Sequence, residues 1–311
     1  MRILYLSPVH PLLTEGNPLP KWQTQAAHVR ALKQVGHDVT VVRYSPKRLG
    51  RVSLWERALR NLKVLGTSGR YDVVLLSLGA DVLFPLSVRV LLSRLHAPLV
   101  ILSGVSPIRQ GNPRERALAP FATIVVTNDS IHMKEWMSLG ARRAVVLPLS
   151  AVDPELHYPR SVRRDFDVVF AGTMSPDRER FFHQFRQYLP RTVTCVIRQF
   201  VWEEEYAELL SRAKIVLNPI RPSMKHGANL RLFEAPAFGA LELSSSSKRE
   251  WLRAGKEIVT YDSPKDAAEK IVYFLKHQKE RERIAEAGMQ RVLREHTFVH
   301  RFRKLLELIS P

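Results

Sequence analysis

Short apolar runs alternate along this chain with longer segments in which apolar residues recur at helical spacing. The first 45 residues introduce the pattern. Arg2–Ser7 is typical of a buried strand, Trp22–Val35 of an amphipathic helix that ends before Gly36, and Asp38–Tyr44 of a second strand. A strand, a helix and a strand in this order predict a βαβ unit with parallel strands and a right-handed crossover.

The alternation continues to about residue 150 and then restarts. In the first half it predicts strands at Asp72–Leu76, Leu99–Leu102, Thr123–Val126 and Ala144–Leu147, and helices at Leu54–Leu65, Pro85–Leu95 and Ser130–Leu139. In the second half it predicts strands at Phe166–Ala171, Val193–Ile197, Lys214–Leu217, Ala240–Leu243 and Glu257–Tyr261, and helices at Arg178–Leu189, Trp202–Ser211 and Ala228–Ala237. Three more helices are predicted after Ser263.

The predicted fold class is therefore α/β, with two tandem Rossmann-like doubly wound domains that face a cleft. We place the first domain at residues 1–152, the second at 153–296 and a tail helix at 297–311. A cleft between two such domains suits a reaction between two bound substrates.

The composition fits this two-domain interpretation. The length of 311 residues corresponds to about two domains, and 45% hydrophobic with 25% charged residues exclude a disordered or collagen-like chain. The single cysteine, Cys195, excludes a disulfide framework and fits a reducing compartment. Neither a signal-peptide pattern nor a run of about 18 apolar residues occurs, so we expect a cytoplasmic chain that lies on a membrane at most.

The charge is strongly basic and unevenly distributed. The chain has 48 Lys and Arg against 30 Asp and Glu, a net charge of +18, and residues 1–150 hold 20 basic and 8 acidic residues. Such a field favours anionic partners, which include nucleic acid, acidic lipid and phosphorylated substrates. A basic surface that serves only solubility is the alternative.

A basic amphipathic helix is predicted at Leu54–Leu65. Its apolar positions are Leu54, Trp55, Ala58, Leu59 and Leu62, and the cations around it are Lys47, Arg48, Arg51, Arg57, Arg60 and Lys63. Two interpretations stay open. The helix could touch anionic lipid, or it could pack on its own sheet and leave a basic face in solvent.

Ligands of open parallel sheets bind beyond the carboxyl ends of the strands, so the loops that follow strands are the candidate sites. Ser7–Lys21 is long for such a loop, and Gly16 would let its backbone approach a ligand; a proline-rich surface connection is the alternative. In Ala171–Arg178 a glycine closes the strand and Arg178 opens the helix, which can receive a phosphate.

The third loop, Leu217–Gly239, is the most informative. A strand ends at Asn218, the cations Arg221 and Lys225 follow, and a helix is predicted to begin near Gly227. Its free N–H groups and the two cations would hold a diphosphate without a metal. Glu234 would lie about two turns into this helix and accept two hydrogen bonds from a ribose diol; a solvated helix residue is the alternative.

Metal chemistry finds little support. Asp165 and Asp167 form an Asp-x-Asp pattern, but they precede their strand and would lie at the wrong end of the sheet. The histidines lack metal-ligand spacing beside a carboxylate, and neither a phosphate-binding P-loop nor a Gly-x-Ser-x-Gly elbow occurs.

The segment Asn229–Leu243 resembles the glycosyltransferases of the GT-B fold, and more closely the family-4-like group that includes spore-maturation-type enzymes. Weaker similarities to this family follow in the right order along most of the chain. The resemblance implies a nucleotide-sugar donor on the second domain, an acceptor on the first and metal-independent transfer. It also implies retention of the anomeric configuration and a tail helix that returns to the first domain.

The resemblance also implies roles for individual residues. Glu234 matches the family's ribose-binding glutamate, and Arg178 matches a lysine that contacts the diphosphate. Many members have Gly-Arg where this chain has Gly172 and Thr173, and Lys225 or Arg231 would replace the missing cation.

One family glutamate, which contacts the donor sugar, is replaced by His226 in this chain. Glu242 lies eight residues after Glu234, and we interpret this as a coincidence of spacing. The predicted catalytic residues are His226, Lys225 and Arg178. The predicted donor-binding residues are Gly172, Thr173, Asn218, Gly227, Asn229, Arg231 and Glu234. Gly16 marks the acceptor-side loop, and no metal or cofactor is expected.

The sequence thus predicts a hexosyltransferase that uses a nucleotide-diphosphate sugar. Its acceptor is expected to be anionic or membrane-associated, and peripheral contact with a membrane stays an open option. Nucleic acid is not expected as a partner, because aromatic residues do not interleave with the cations along the chain. The alternatives are a sugar-nucleotide epimerase and a non-catalytic nucleotide-sugar or nucleic-acid binder of the same fold.

Overall fold

A computed structural model describes residues 1–8, 22–44, 53–78, 83–104, 106–108, 113–222, 227–248 and 250–309. The chain divides into two compact units. The first comprises Met1–Leu149 together with Phe298–Pro311, and the second comprises Ser150–Thr297.

The first unit is built on a six-stranded parallel sheet of order β2-β1-β3-β4-β5-β6. Its strands are β1 (Arg2–Ser7), β2 (Asp38–Arg43), β3 (Val73–Ser77), β4 (Leu99–Ser103), β5 (Ile124–Thr127) and β6 (Ala144–Val146). Its helices are α1 (Thr24–Gln34), α2 (Leu54–Leu65), α3 (Pro85–Leu95), α4 (Pro113–Arg116), α5 (Ser130–Ser138) and α11 (Phe298–Ile309). The central strands are apolar and fully buried, as expected for a parallel sheet covered on both faces.

Helix α11 packs on α1. The ring of His28 on α1 lies edge-on to the rings of Phe298 and Phe302, with centroids 5.2 and 5.0 Å apart, and Leu305 is buried on the same side. The hydroxyl of Tyr5 on β1 lies 2.8 Å from His28 Nδ1. The carboxy-terminal helix is thus part of the first unit.

The second unit contains a five-stranded parallel sheet of order β11-β10-β9-β7-β8. Its strands are β7 (Phe166–Ala171), β8 (Cys195–Arg198), β9 (Ala213–Asn218), β10 (Leu241–Ser244) and β11 (Val259–Thr260). Its helices are α6 (Pro176–Tyr188), α7 (Glu203–Ser211), α8 (Arg231–Ala237), α9 (Pro264–Lys276) and α10 (Gln278–Glu295). The predicted fold class, two Rossmann-like α/β domains with parallel sheets, is confirmed.

Helix α2 agrees only in part with one of its two interpretations. Leu54, Trp55 and Leu62 are exposed, whereas Asn61 and Val64 are buried. The apolar side of the helix therefore does not face the sheet. The interpretation that α2 packs on its own sheet and leaves a basic face in solvent holds only in part, because Val64 packs in the core of the unit but the larger apolar side chains are exposed and Arg60 is buried. Among the described residues, no helix combines the length and the apolar character needed to cross a membrane.

Candidate active site

The carboxyl edge of the second sheet brings together three of the predicted site segments. Strand β9 lies between β7 and β10, and all three run parallel. Gly172 follows β7, Asn218 ends β9, and the segment from Asn229 to Arg231 leads into α8. Residues that are far apart in the sequence therefore meet here, at the edge where parallel sheets bind ligands.

A buried network of amides connects these segments. Asn218 Nδ2 donates to Asn229 Oδ1 at 3.1 Å and to Glu242 Oε1 on β10 at 2.7 Å, and Asn218 Oδ1 accepts from Asn229 Nδ2 at 2.8 Å. Asn229 Oδ1 also accepts from the backbone N–H of Leu232 at 3.1 Å. The network fixes the start of α8 against β9 and β10.

The same network corrects the predicted start of the helix. Helix α8 begins at Arg231 and not near Gly227, because Asn229 is tied to Asn218 and its side chain caps the first turn from outside. Glu234 consequently lies in the first turn of a seven-residue helix and not two turns into a longer one. The predicted helix start near Gly227 is therefore wrong, and the predicted diphosphate site beside it stays a prediction.

Arg178 is a buried cation near the edge. Its Nη1 donates to the carbonyl oxygen of Thr173 at 2.8 Å, and its Nε donates to the carbonyl oxygen of Pro219 at 3.0 Å. Its guanidinium carbon lies 5.2 Å from the centroid of the Phe170 ring. Arg178 therefore joins the loop that follows β7 to the loop that follows β9.

Arg231 approaches the same ring from α8. Its guanidinium carbon lies 4.9 Å from the centroid of Phe170, Nη1 donates to Asn218 Oδ1 at 3.3 Å, and Nη2 donates to the carbonyl oxygen of Ala171. Its buried Nε has no acceptor among the described residues. Gly172 makes this approach possible, because a Cβ there would collide with Arg231 Nη2 and its φ of +153° disfavours other residues.

Arg178 and Arg231 lie close together here, and the charge of Arg221 also acts on Arg178. Burial, together with the charges of Arg231 and Arg221, lowers the pKa of Arg178 to about 10. Within the part of the chain that the structure describes, the hydrogen bonds of Arg178 and Arg231 go to carbonyl and amide oxygens. Since positive charges repel one another in a poorly solvated site, the arrangement favours a bound anion.

Glu234 lies beside this arginine cluster (Arg178, Arg221 and Arg231) and is mostly buried. Its Oε2 accepts from the hydroxyl of Tyr206 at 2.7 Å, and its Oε1 lies 3.6 Å from His157 Nε2. Burial alone would raise the pKa of Glu234, but the hydrogen bonds of His157 and Tyr206 and the charge of Arg231 outweigh it and lower the pKa. The carboxylate is thus ionised and held in place as a hydrogen-bond acceptor.

Sequence analysis missed three residues of this site. Tyr206 and His157 gave no recognisable signal, because each reaches Glu234 only through the tertiary structure. Glu242 had a signal, since a charged residue inside the apolar run of β10 needs a partner. It is buried, its Oε1 accepts from Asn218, its Oε2 has no partner among the described residues, and burial raises its pKa to about 8.

Of the other predicted site residues, three lie outside the described part of the chain, and the structure places two. Gly16, Lys225 and His226 lie outside the described residues. Thr173 offers its backbone carbonyl to Arg178, and its side chain is exposed. Gly227 is buried outside the helix that it was predicted to begin.

The Asp-x-Asp pattern has a structural role, as the sequence indicated. Asp165 is paired with Arg212, and Asp167 with Lys214, at the end of β7 opposite the arginine cluster. Cys195 begins β8 half-buried against the core of the second unit. Among the described residues, no group of three or more His, Cys, Asp or Glu side chains could hold a metal ion.

The comparisons show which fold the chain shares with solved structures. Two Rossmann-like domains, each with its own parallel sheet, are typical of the GT-B glycosyltransferases, and solved structures that match the full chain share this fold. Residues 158–307 match the family model described as glycosyl transferase-like. The fold is therefore that of the GT-B glycosyltransferases, and residues 158–307 are similar to the glycosyl transferase-like family. The family-4-like, spore-maturation-type group stays a prediction.

Particular solved structures are similar to the whole chain. Alr3699/HepE of Anabaena, solved with UDP and glucose, is 15% identical and has a TM-score of 0.69 over 100% of this chain and 99% of its own. An alpha-glucosyltransferase, solved with UDP-glucose and DNA containing an abasic site, is 12% identical, with a TM-score of 0.71 over 100% of both chains. A glycosyltransferase from Rickettsia africae ESF-5 is 12% identical, with a TM-score of 0.65 over 99% of this chain and 97% of its own. No curated protein matches this chain by sequence.

Proposed function

We propose that this chain transfers a sugar from a nucleoside-diphosphate sugar to an acceptor. The observation that carries the proposal is the cluster of Arg178, Arg221 and Arg231 next to the ionised Glu234 at a sheet edge that favours ligands. A pyrophosphate would neutralise the positive charge of the arginines, and the two hydroxyl groups of a ribose would donate hydrogen bonds to the Glu234 carboxylate. The two halves of a nucleoside diphosphate thus correspond to the two kinds of side chain.

The proposed chemistry follows from the charge. The bond between the anomeric carbon of the sugar and the diphosphate oxygen breaks, and a bond forms between that carbon and the nucleophilic atom of the acceptor. Negative charge therefore accumulates on the leaving diphosphate. Fixed cations at that position stabilise it, which is the main catalytic contribution that such a site can make. We further propose that no metal is needed, that the leaving phosphate helps to deprotonate the acceptor, and that the anomeric configuration is retained. Lys225 and His226 stay predicted catalytic residues.

For the donor we propose a uridine-diphosphate hexose. The Anabaena protein was solved with UDP and with UDP-glucose, and the alpha-glucosyltransferase also with UDP-glucose. The shared fold makes the same donor the first to test. A family-4-like hexosyltransferase is the finer assignment that this proposal adds to the glycosyl transferase-like match.

For the acceptor we propose an anionic or membrane-associated molecule bound by the first unit. Residues 1–150 carry 20 basic and 8 acidic residues, which favours such a molecule electrostatically. The predicted acceptor-side loop around Gly16 belongs to this proposal. We propose the cytoplasm as the place of action, with peripheral contact with a membrane.

The test measures UDP binding to the Arg231→Ala variant by calorimetry. A charge-assisted hydrogen bond contributes about 1.5–3 kcal/mol, so we expect the affinity for UDP to fall about 10- to 100-fold. Arg180→Ala is the matched control, because Arg180 is an exposed arginine of α6 that pairs with Asp177. Unchanged UDP affinity in Arg231→Ala would contradict the proposed diphosphate site.

Catalysis needs its own measurement. We expect the wild-type chain to release UDP from UDP-glucose when a suitable acceptor is present, and to do so equally with a metal chelator. Interconversion of UDP-hexoses without release of UDP would indicate an epimerase. UDP-hexose binding with neither reaction, or a salt-dependent gel shift with nucleic acid, would indicate a non-catalytic binder.

A further inference from the structure

The first unit exposes an apolar face on α2. Leu54 is 75% exposed, Trp55 72% and Leu62 61%, and Leu59 on the same side is also exposed. These residues follow the spacing i, i+1, i+5 and i+8, so they form one stripe along the helix. An exposed stripe of large apolar side chains is typical of a surface that binds a protein, a membrane or a ligand.

The stripe is held outward by a well-anchored helix. Ser53 and Glu56 form a reciprocal capping box at the amino end of α2, and Val64 is fully buried on the opposite side. Asn61 Oδ1 accepts from the backbone N–H of Phe84 at 2.8 Å, just before α3. These contacts hold the side of α2 that carries Asn61 and Val64 against the unit. The apolar side therefore points to solvent.

The described charges on α2, on the turn after it and on α3 are mainly positive. Arg57 and Lys63 lie on α2 itself, and Arg70 and Arg89 are exposed on the turn that follows α2 and on the adjoining α3. The acid on α2, Glu56, is engaged in the capping box. An anionic surface therefore complements these cations while it accepts the apolar side chains.

We propose that α2 docks this chain on a membrane that contains anionic lipid, with Trp55 and the leucines inserted at the level of the headgroups. Basic amphipathic helices with Trp and Leu on one side lie at membrane interfaces in this way. A second copy of the chain is a poorer occupant, because two strongly basic units would repel each other. The inference deepens the proposed peripheral membrane contact and rests on that part of the proposed function, but it does not depend on the proposed donor site.

The experiment sediments the full chain with vesicles of phosphatidylcholine alone and of phosphatidylcholine mixed equally with phosphatidylglycerol. We expect binding to the mixed vesicles and little to the zwitterionic ones. Trp55→Ser should weaken binding to the mixed vesicles by about tenfold or more, since it removes a large inserted side chain. Trp202→Ser is the matched control, because Trp202 is 68% exposed in the second unit.

A second pair of variants tests the local charge. Lys63→Glu and Lys279→Glu change the net charge equally, but only Lys63 borders the stripe, and both side chains are exposed. We expect Lys63→Glu to reduce binding to the mixed vesicles several-fold and Lys279→Glu to leave it near the wild-type level.

Three outcomes would overturn the proposal. The first is equal loss of vesicle binding in the Trp55 and Trp202 variants. The second is binding that does not depend on phosphatidylglycerol. The third is a dimer, seen by sedimentation in solution, that Trp55→Ser converts to a monomer. All four substituted side chains are exposed, so we expect unchanged thermal unfolding midpoints in these variants.

Discussion

The two ends of strands β7 and β9 differ in how their cationic side chains are paired with carboxylates. At the amino end, Arg212 donates two hydrogen bonds to Asp165, at 2.9 and 2.5 Å, and Lys214 Nζ lies 2.7 Å from Asp167 Oδ1. Each cation there has its own carboxylate. These pairs are partly exposed to solvent and neutralise each other, so they leave little capacity for a ligand.

At the carboxyl end, the arginines outnumber the one ionised carboxylate beside them, Glu234, and among the described residues Arg178 and Arg231 form no carboxylate hydrogen bond. Arg178 and Arg231 lie over the ring of Phe170 and bond to uncharged oxygens. Glu242 is close enough to interact with Arg231, but burial raises its pKa to about 8, so it is mostly neutral at pH 7 and does not compensate the arginines. Charge pairing along the same two strands thus distinguishes a structural end from the end at which we propose that the donor binds.

The largest expected effect concerns the protonated Glu242. Its pKa is about 8 in the folded chain against an ordinary value of 4.5, so the unfolded chain binds fewer protons between these values and stability falls as pH rises. The slope is about 1.4 kcal/mol per pH unit. Glu242→Gln removes this titration, and we expect the variant to gain stability relative to wild type from pH 5 to pH 8, as measured by urea unfolding.

Glu234 supplies the control of opposite sign. Its pKa is lowered, so its ionised form contributes stability above the ordinary pKa, and this contribution is lost as pH falls through the lowered value. Glu234→Gln should therefore lose stability relative to wild type at neutral pH and approach wild type in acid. If both variants show the same trend with pH, the contrast between the two acids is wrong.

The next effect concerns the approach of Arg231 to Gly172. Gly172→Ala places a Cβ against Arg231 Nη2, so we expect the guanidinium to be displaced and UDP affinity to fall about tenfold or more. Gly255→Ala is the matched control, because Gly255 also has a positive φ, of +75°, with nothing within 4 Å of the added Cβ. Backbone strain should destabilise both variants, whereas only Gly172→Ala should weaken UDP binding in a calorimetric titration.

The smallest effect is expected at the matched end of the strands. Lys214→Met removes a partly exposed ion pair with Asp167, and such pairs contribute about 0–1 kcal/mol. We expect a change in the free energy of unfolding within this range and no change in UDP affinity. A large loss of UDP affinity here would show that the two ends are not functionally separate.

Much of the site could be predicted from the sequence, because strand ends and glycines are local signals. Arg178, Asn218, Arg231 and Glu234 were all predicted, and the structure places them near one edge of the sheet. The predicted start of α8 was wrong by about one turn. The helix is capped by Asn229, which Asn218 at the end of β9 holds in place. Tyr206 and His157 could not be predicted, because nothing in their own neighbourhood marks a contact with Glu234.

Helices α2 and α11 show the same limit at the level of whole elements. Both have a strong apolar side in the sequence, and both were predicted as helices. Phe302 and Leu305 of α11 are buried in the first unit, whereas Trp55 and Leu62 of α2 are exposed. Periodicity specifies the apolar side of a helix but not what that side contacts.

The sequence by itself determined the order of strands and helices, the two parallel α/β domains and the basic character of the first half, because these depend on local periodicity and composition. Only the tertiary structure decided which charges are matched and which apolar face stays exposed. Those properties depend on contacts between residues far apart in the chain, such as that of Arg231 with the end of β7 and that of Asn61 with the start of α3.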